Sequence, residues 1–201
     1  PALRQAREFV LSRGGAVKTH TFTKILLAIF GQFPWRGLPL LPPELIFLPR
    51  WFYINIYDFA SWTRATIVAL TAIFAPRPVY PVPPGADIRE LYLRPEDFSR
   101  PPQARAPRLM SWEAFFLALD RALKAWQRLP YKPGRRLALK RVAEWIVQHQ
   151  EADGSWGGIM LPWVYSLVAL RCLGFSNDHP VMERGLKGLE DFIVEDDATL
   201  N

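Results

Sequence analysis

Apolar positions along this chain recur at three- and four-residue spacing, and segments alternating with period two are few, so the pattern predicts helices rather than strands. Residues 5–12 place Ala6, Phe9 and Val10 on one face. Residues 21–30 are strongly apolar and stop at Gly31. Residues 58–74 read as one long apolar helix carrying Trp62, Ala65, Val68, Ala69 and Ala72. Ser111 is placed to cap a helix over 110–129, whose stripe is Trp112, Phe115, Phe116, Leu119, Leu123 and Trp126. Further helices are predicted over 136–150, 162–173 and 181–194. The expected fold class is all-α.

Proline divides these helices. Five of the 19 prolines lie within 34–50 and nine within 76–107. That density excludes helix interiors and central strands. Both stretches are therefore expected to be connections, the second one long and irregular. A degenerate repeat runs through the helices between them. Ala6-Arg7-Glu8-Phe9-Val10, Ala143-Glu144-Trp145-Ile146 and Lys187-Gly188-Leu189-Glu190-Asp191-Phe192-Ile193 share a small residue, an aromatic and a β-branched residue. The first two copies are followed by a glycine-containing turn and a second apolar helix, ending at Gly31 and Gly174. Repeated helix pairs point to a solenoid or to a closed α/α toroid.

The second copy carries the most specific signal. It reads Trp145-Ile146-Val147-Gln148-His149-Gln150-Glu151-Ala152-Asp153-Gly154-Ser155-Trp156. The helix is expected to stop near Gln150, and Asp153-Gly154 supplies a turn with a permissive backbone. A Gln side chain can then hydrogen-bond backbone at helix ends while the Trp covers it. The aromatic, Gln, Gly and Trp spacing matches the QW motif of triterpene cyclases. Pro34-Trp35, Pro42-Pro43-Glu44, the run Asn55 through Thr66, Ala118-Leu119-Asp120-Arg121-Ala122-Leu123 and Gly154-Ser155-Trp156-Gly157-Gly158-Ile159 follow the same order and spacing as the squalene–hopene cyclases. The chain resembles that family over essentially all of its 201 residues.

The resemblance implies a partial α/α-barrel domain over 1–201, corresponding to the inserted, more N-terminal barrel. Whole members of the family are about three times longer, and the remaining cyclase barrel would be this domain's partner. Pro1 and the acidic run up to Asn201 are read as cut ends. The implied activity is cationic polycyclisation of squalene or a related polyprene to hopanoid-type triterpenes, an isomerase reaction of the intramolecular lyase kind. Gln150, Gly154 and Trp156 are implied to be structural. Trp62 matches a tryptophan lining the cyclisation cavity, where its π-face stabilises carbocations. A core tryptophan on an apolar helix is the plainer alternative. Phe59 and Ile67 match positions near the substrate entrance, and packing accounts for them equally well. Ile159, Met160 and Leu161, followed by Pro162-Trp163, match a cavity loop that usually reads Ile-Gln-Pro-Pro-Trp. Met160 and Leu161 replace its Gln and first Pro, which puts hydration of the final cation, and hopene as product, in question.

The family protonates its substrate with an Asp-x-Asp-Asp motif, which these residues lack. In Val194-Glu195-Asp196-Asp197 a valine stands where the first Asp belongs, so the run reads as a solvated helix end. No catalytic residue, metal site or cofactor is expected. A protein prenyltransferase β-subunit shares the toroid, but its zinc site needs Asp, Cys and His. Cys172 is the only thiol, and His20, His149 and His179 show no ligand spacing.

Net charge is +6 at pH 7. The basic residues are scattered and no nucleic-acid motif appears, which disfavours nucleic acid. The apolar run 65–76 is too short to span a bilayer. The helix over 110–129, with Glu113, Arg121, Lys124 and Arg128 opposite its aromatic stripe, has the pattern of an interfacial helix as well as that of a core helix. The family enters membranes from one side, so peripheral, monotopic attachment at the cytoplasmic face is expected. Homodimerisation stays open. A non-catalytic helical-repeat binding module is the competing reading.

Overall fold

The structure is a computed structural model, and it describes residues 2–52, 55–99 and 111–193. Among the described residues there are eight α-helices and no strand. They are α1 (Ala2–Ser12), α2 (Thr21–Ile29), α3 (Ser61–Phe74), α4 (Pro95–Ser99), α5 (Trp112–Arg128), α6 (Arg135–Gln148), α7 (Met160–Cys172) and α8 (Pro180–Asp191). The all-α expectation holds. The chain folds as two compact units, Pro1–Leu40 with Arg77–Ala125 and Leu41–Pro76 with Trp126–Asn201.

The second helices of the two complete repeats end alike. At the end of α2, Gly31 takes φ +70°, its N–H donates to Ala28, and Gln32 N donates to Leu27 O at 2.7 Å. At the end of α7, Gly174 takes φ +92°, its N–H donates to Arg171, and Phe175 N donates to Leu170 O at 3.0 Å. Both are Schellman caps, which need a residue tolerant of the left-handed region. The repeat read from side-chain type is thus also a repeat of backbone geometry.

In the first unit the proline-rich connection is tied down by polar contacts. The Gln32 side-chain oxygen accepts from Ile88 N at 3.0 Å, and its carbonyl accepts from the buried Tyr92 hydroxyl at 2.5 Å. Trp35 Nε1 donates to Pro78 O, and Arg7 pairs with Glu90 at 3.2 Å. The connection is not irregular throughout, because Arg89–Leu91 forms a 3-10 turn and Pro95 opens α4. Proline is tolerated there because a first-turn N–H has no intrahelical partner. The rest of that segment, residues 100–107, lies outside the described residues.

The second unit has two buried helices flanked by two others. Every α3 residue from Val68 to Phe74 is buried, and α7 buries Pro162, Trp163, Tyr165, Ser166, Leu167, Ala169 and Leu170. These two helices pack on each other. By contrast α6 buries only Ala138, Val142 and Ile146, a single i, i+4, i+8 stripe. Full burial of Val142 and Ile146 contributes about 1.5–3 kcal/mol each. The first turn of α6 is fixed by Arg135, whose Nε donates to Glu44 Oε1 at 2.7 Å and whose Nη2 donates to Gln127.

Several expected boundaries move: α1 begins at Ala2 rather than residue 5, and α8 spans Pro180–Asp191 rather than 181–194. α3 begins at Ser61 rather than residue 58, because Asn55 accepts from Tyr57 N and closes a 3-10 turn over Ile56–Asp58. α6 ends at Gln148, leaving Gln150 in the turn. α7 begins at Met160 rather than at Pro162, because a proline fits anywhere in the first turn. Met160 and Leu161 are therefore first-turn helical residues, not loop residues.

Candidate functional site

The turn between α6 and α7 is built from its own side chains. Trp156 is fully buried, and its indole N–H donates to Ile146 O at 2.7 Å. It thereby satisfies one of the carbonyls that a helix C-terminus leaves open. Gln150 Nε2 donates to Gly154 O at 3.2 Å and to Val181 O, in the first turn of α8, at 2.8 Å. Gly154 has φ +86°, and a Cβ there would lie 2.3 Å from Arg184 O. Glu151 accepts from Gly157 N and the Ser155 hydroxyl. Asp153 accepts from Ser155 N at 2.9 Å, and this bond holds its carboxyl below the usual carboxylate range. The Gln-Gly-Trp spacing thus joins the end of α6 to the start of α8.

α8 answers this turn with two glycines. A Cβ on Gly185 would meet Leu167 at 2.8 Å and Trp156 at 3.2 Å; one on Gly188 would meet Asp153 O at 2.3 Å. Trp163 Nε1 donates to Gly185 O at 2.9 Å, with both groups buried. Gly185 and the donor role of Trp163 escaped the sequence reading, although two glycines inside a helix were a visible signal.

The predicted cavity residues lie on α3, on α7 and in the segments just before them, all in the second unit. Trp62 lies in the first turn of α3 and is 43% exposed within this chain. The backbone of Gly157 presses on it, since a Cβ at Gly157 would stand 3.2 Å from both Trp62 Cα and Cβ. The Thr66 hydroxyl donates to Trp62 O at 2.9 Å. Ile159 is exposed, and Met160 is 64% exposed at the start of α7. Leu161 and Ile67 are half-buried, and Phe59, just before α3, is exposed. Gly157 thus sets the segment before α7 against the first turn of α3.

A polar frame that the sequence reading missed stands behind this surface. Asn55, almost fully buried, donates to Arg50 O, Phe52 O and Asp58 Oδ2, the last at 2.6 Å. Arg64 donates to Ile56 O (3.1 Å), Tyr57 O (3.1 Å) and Phe59 O (3.0 Å). The guanidinium groups of Arg50 and Arg64 lie 4.8 and 5.6 Å from the Tyr57 ring centroid. Neither arginine stands out from a sequence with 25 basic residues.

Helix α5 buries none of its residues against the rest of this chain. Trp112 is 66% exposed, and its ring packs with the exposed rings of Phe115 and Phe116 at centroid distances of 5.9 and 6.2 Å. The polar side is anchored: Asp120 accepts from Leu40 N at 2.9 Å and pairs with Lys124 at 2.7 Å. No helix among the described residues is long and apolar enough to cross a membrane. No cluster of three His, Cys, Asp or Glu side chains suited to a metal occurs among them either. The acidic run 194–197 lies outside the described residues.

Comparison with known proteins gives the family. The model of the squalene-hopene cyclase N-terminal domain matches residues 1–198. The squalene–hopene cyclase of Alicyclobacillus acidocaldarius is 41% identical over 96% of this chain and 30% of its own length. Dammaradiene synthase of Dryopteris crassirhizoma is 36% identical over 97% of this chain and 28% of its own. The squalene–hopene cyclase of Bradyrhizobium diazoefficiens is 31% identical over 96% and 29%. The chain spans less than a third of the length of these relatives. Its all-helical hairpins agree with the α/α-toroid architecture of that domain, and the chain belongs to the squalene–hopene cyclase family through its N-terminal domain.

Proposed function

We propose that this chain forms one wall of the cyclisation cavity in a squalene–hopene cyclase-type enzyme, an isomerase that folds a linear polyprene into a polycyclic triterpene. Trp62 carries the reading: an aromatic ring left 43% exposed on a helix whose residues from Val68 to Phe74 are all buried. A π-face turned toward an apolar space attracts a developing carbocation. Ile159, Met160 and Leu161 supply inert surface around it, and Phe59 with Ile67 lines the way in. The proton would come from an acid outside these residues, in the remaining barrel. Gln150, Gly154 and Trp156 hold the hairpins in place and touch no substrate.

A desolvated cation–π contact contributes about 2 kcal/mol, so losing it slows a step by roughly 30-fold. The full-length enzyme with Trp62→Ala is expected to lose about that factor in kcat or to release early-terminated products, read by gas chromatography of squalene incubations. Unchanged turnover and products would sink the cavity assignment. Absence of turnover in the wild-type full-length enzyme would favour the non-catalytic helical module instead.

Membrane attachment belongs to the same proposal. The exposed Trp112, Phe115 and Phe116 suit insertion into one leaflet, with Arg121, Lys124 and Arg128 on the polar side. This would make the protein monotopic at the cytoplasmic face of a bilayer whose apolar interior dissolves a hydrocarbon substrate. Replacing the three aromatics by Ala should release the full-length enzyme from phosphatidylcholine vesicles in co-sedimentation. Undiminished binding would place the contact elsewhere. Homodimerisation is tested separately by sedimentation in detergent.

A further inference from the structure

We infer that Arg64 is a positioning residue, which fixes Phe59 and the entry into α3 so that the exposed rings of Phe59 and Trp62 keep a set separation. The inference rests on the cyclase reading above for what those rings do, and on the geometry for how they are held. Residues 55–60 run from a 3-10 turn into two extended residues, Phe59 and Ala60, before α3 starts. Such a segment has carbonyls without ladder or helix partners, and each needs a donor. Arg64 satisfies three of them, at Ile56, Tyr57 and Phe59. Asp58, the nearest acid along the chain, accepts with its Oδ2 from the Asn55 side-chain amide. The planar guanidinium fork reaches separate peptide groups at once, which an ammonium on a flexible stem does poorly.

The two rings are then held from opposite ends of one clamp. Trp62 is fixed through its backbone, by Thr66 and by the close approach of Gly157. Phe59 has an exposed ring, so the Arg64 bond to its carbonyl takes on what core packing does elsewhere. Helix α3 supplies both parts of the clamp. Arg64 lies in its first turn, and Arg64 N donates to Ala60 O at 2.9 Å.

The test is a double-mutant cycle in the full-length enzyme with squalene, using Arg64→Met, Phe59→Ala, the double variant and Arg64→Lys. A misplacement of 1 Å can cost about 100-fold, and a partly supported turn moves less, so R64M is expected to raise KM about tenfold with kcat within about threefold. The double variant should be no worse than the poorer single one, and R64K should recover part of the loss. A scaffold-only role predicts a lowered Tm with KM unchanged, or R64M and F59A effects that add; either result overturns the inference. Should R64M fail to fold, R64K with F59A completes the cycle. Amide exchange over residues 55–62 reads the positioning without turnover: R64M should speed it by about tenfold and R64K by less, and unchanged exchange in R64M refutes it. A wild-type enzyme inert to squalene would end the cyclase reading while leaving that exchange measurement decisive for Arg64.

Discussion

Replacing Gly188 by alanine sets two physical effects against each other. In an exposed helix interior, Gly→Ala stabilises by about 1 kcal/mol, because glycine loses more backbone freedom on folding. At Gly188 the new Cβ would stand 2.3 Å from Asp153 O and 2.8 Å from the Trp163 ring. A backbone oxygen and a buried indole cannot step aside as a flexible side chain would, so α8 has to move. Overpacking of this kind costs about 1–3 kcal/mol. Moving α8 also lengthens the Trp163 to Gly185 and Gln150 to Val181 hydrogen bonds, at about 1 kcal/mol each. The net expectation is a loss of about 3 kcal/mol, or roughly 6–12 °C in Tm for a chain of this size. Urea unfolding followed by tryptophan fluorescence measures it. Lys187→Ala is the control and should stay within about 0.5 kcal/mol, since that side chain is exposed. A Gly188→Ala protein as stable as the parent, or more so, would show that the close approach of α8 is not a constraint.

Other outcomes follow from the same geometry. Gln150→Glu aims a carboxylate at the Gly154 and Val181 carbonyls; its folded pKa should rise, so the stability lost at pH 7 returns as pH falls through that raised value, seen by thermal melts across pH. Trp156→Phe removes the donor to Ile146 O and should cost about 1–2 kcal/mol in the same unfolding assay. Burial pushes the Tyr92 hydroxyl up to about 12, so ultraviolet titration should find it neutral past pH 10; its contribution to stability, complete below its unfolded pKa, fades as pH climbs toward 12. In the full-length enzyme Met160→Gln should raise the share of hydrated over deprotonated product in gas chromatography, and an unchanged ratio would remove Met160 from the product-determining wall.

Much of the fold was legible because helical periodicity is strong where one stripe is buried. The α6 stripe of Ala138, Val142 and Ile146 is such a case. Boundaries were less legible, because they depend on single side-chain bonds. Asn55 delays α3 by closing a 3-10 turn, and nothing in the apolar pattern of residues 58–74 announces that. The Gln-Gly-Trp spacing led straight to its turn because each residue there does something few others can. The arginine frame was invisible for the opposite reason: Arg64 acts on main-chain carbonyls, which every residue carries. Exposure was not legible either. Trp62 and Trp112 both sit on apolar stripes, and only the packed structure shows that these rings are left open.

The face of α8 turned to the neighbouring turn is read almost entirely through its main chain. Val181 and Gly185 offer carbonyls, Arg184 a carbonyl pressed by Gly154, and Gly188 an empty space for Asp153. These four positions recur every three or four residues, so a slip of one residue would misalign all of them. The docking is therefore indexed by where side chains are missing as well as by the buried Val181 and Met182. Substitutions at Leu186, Lys187 or Glu190 can drift without erasing the address, whereas a single inserted residue in α8 would scramble it.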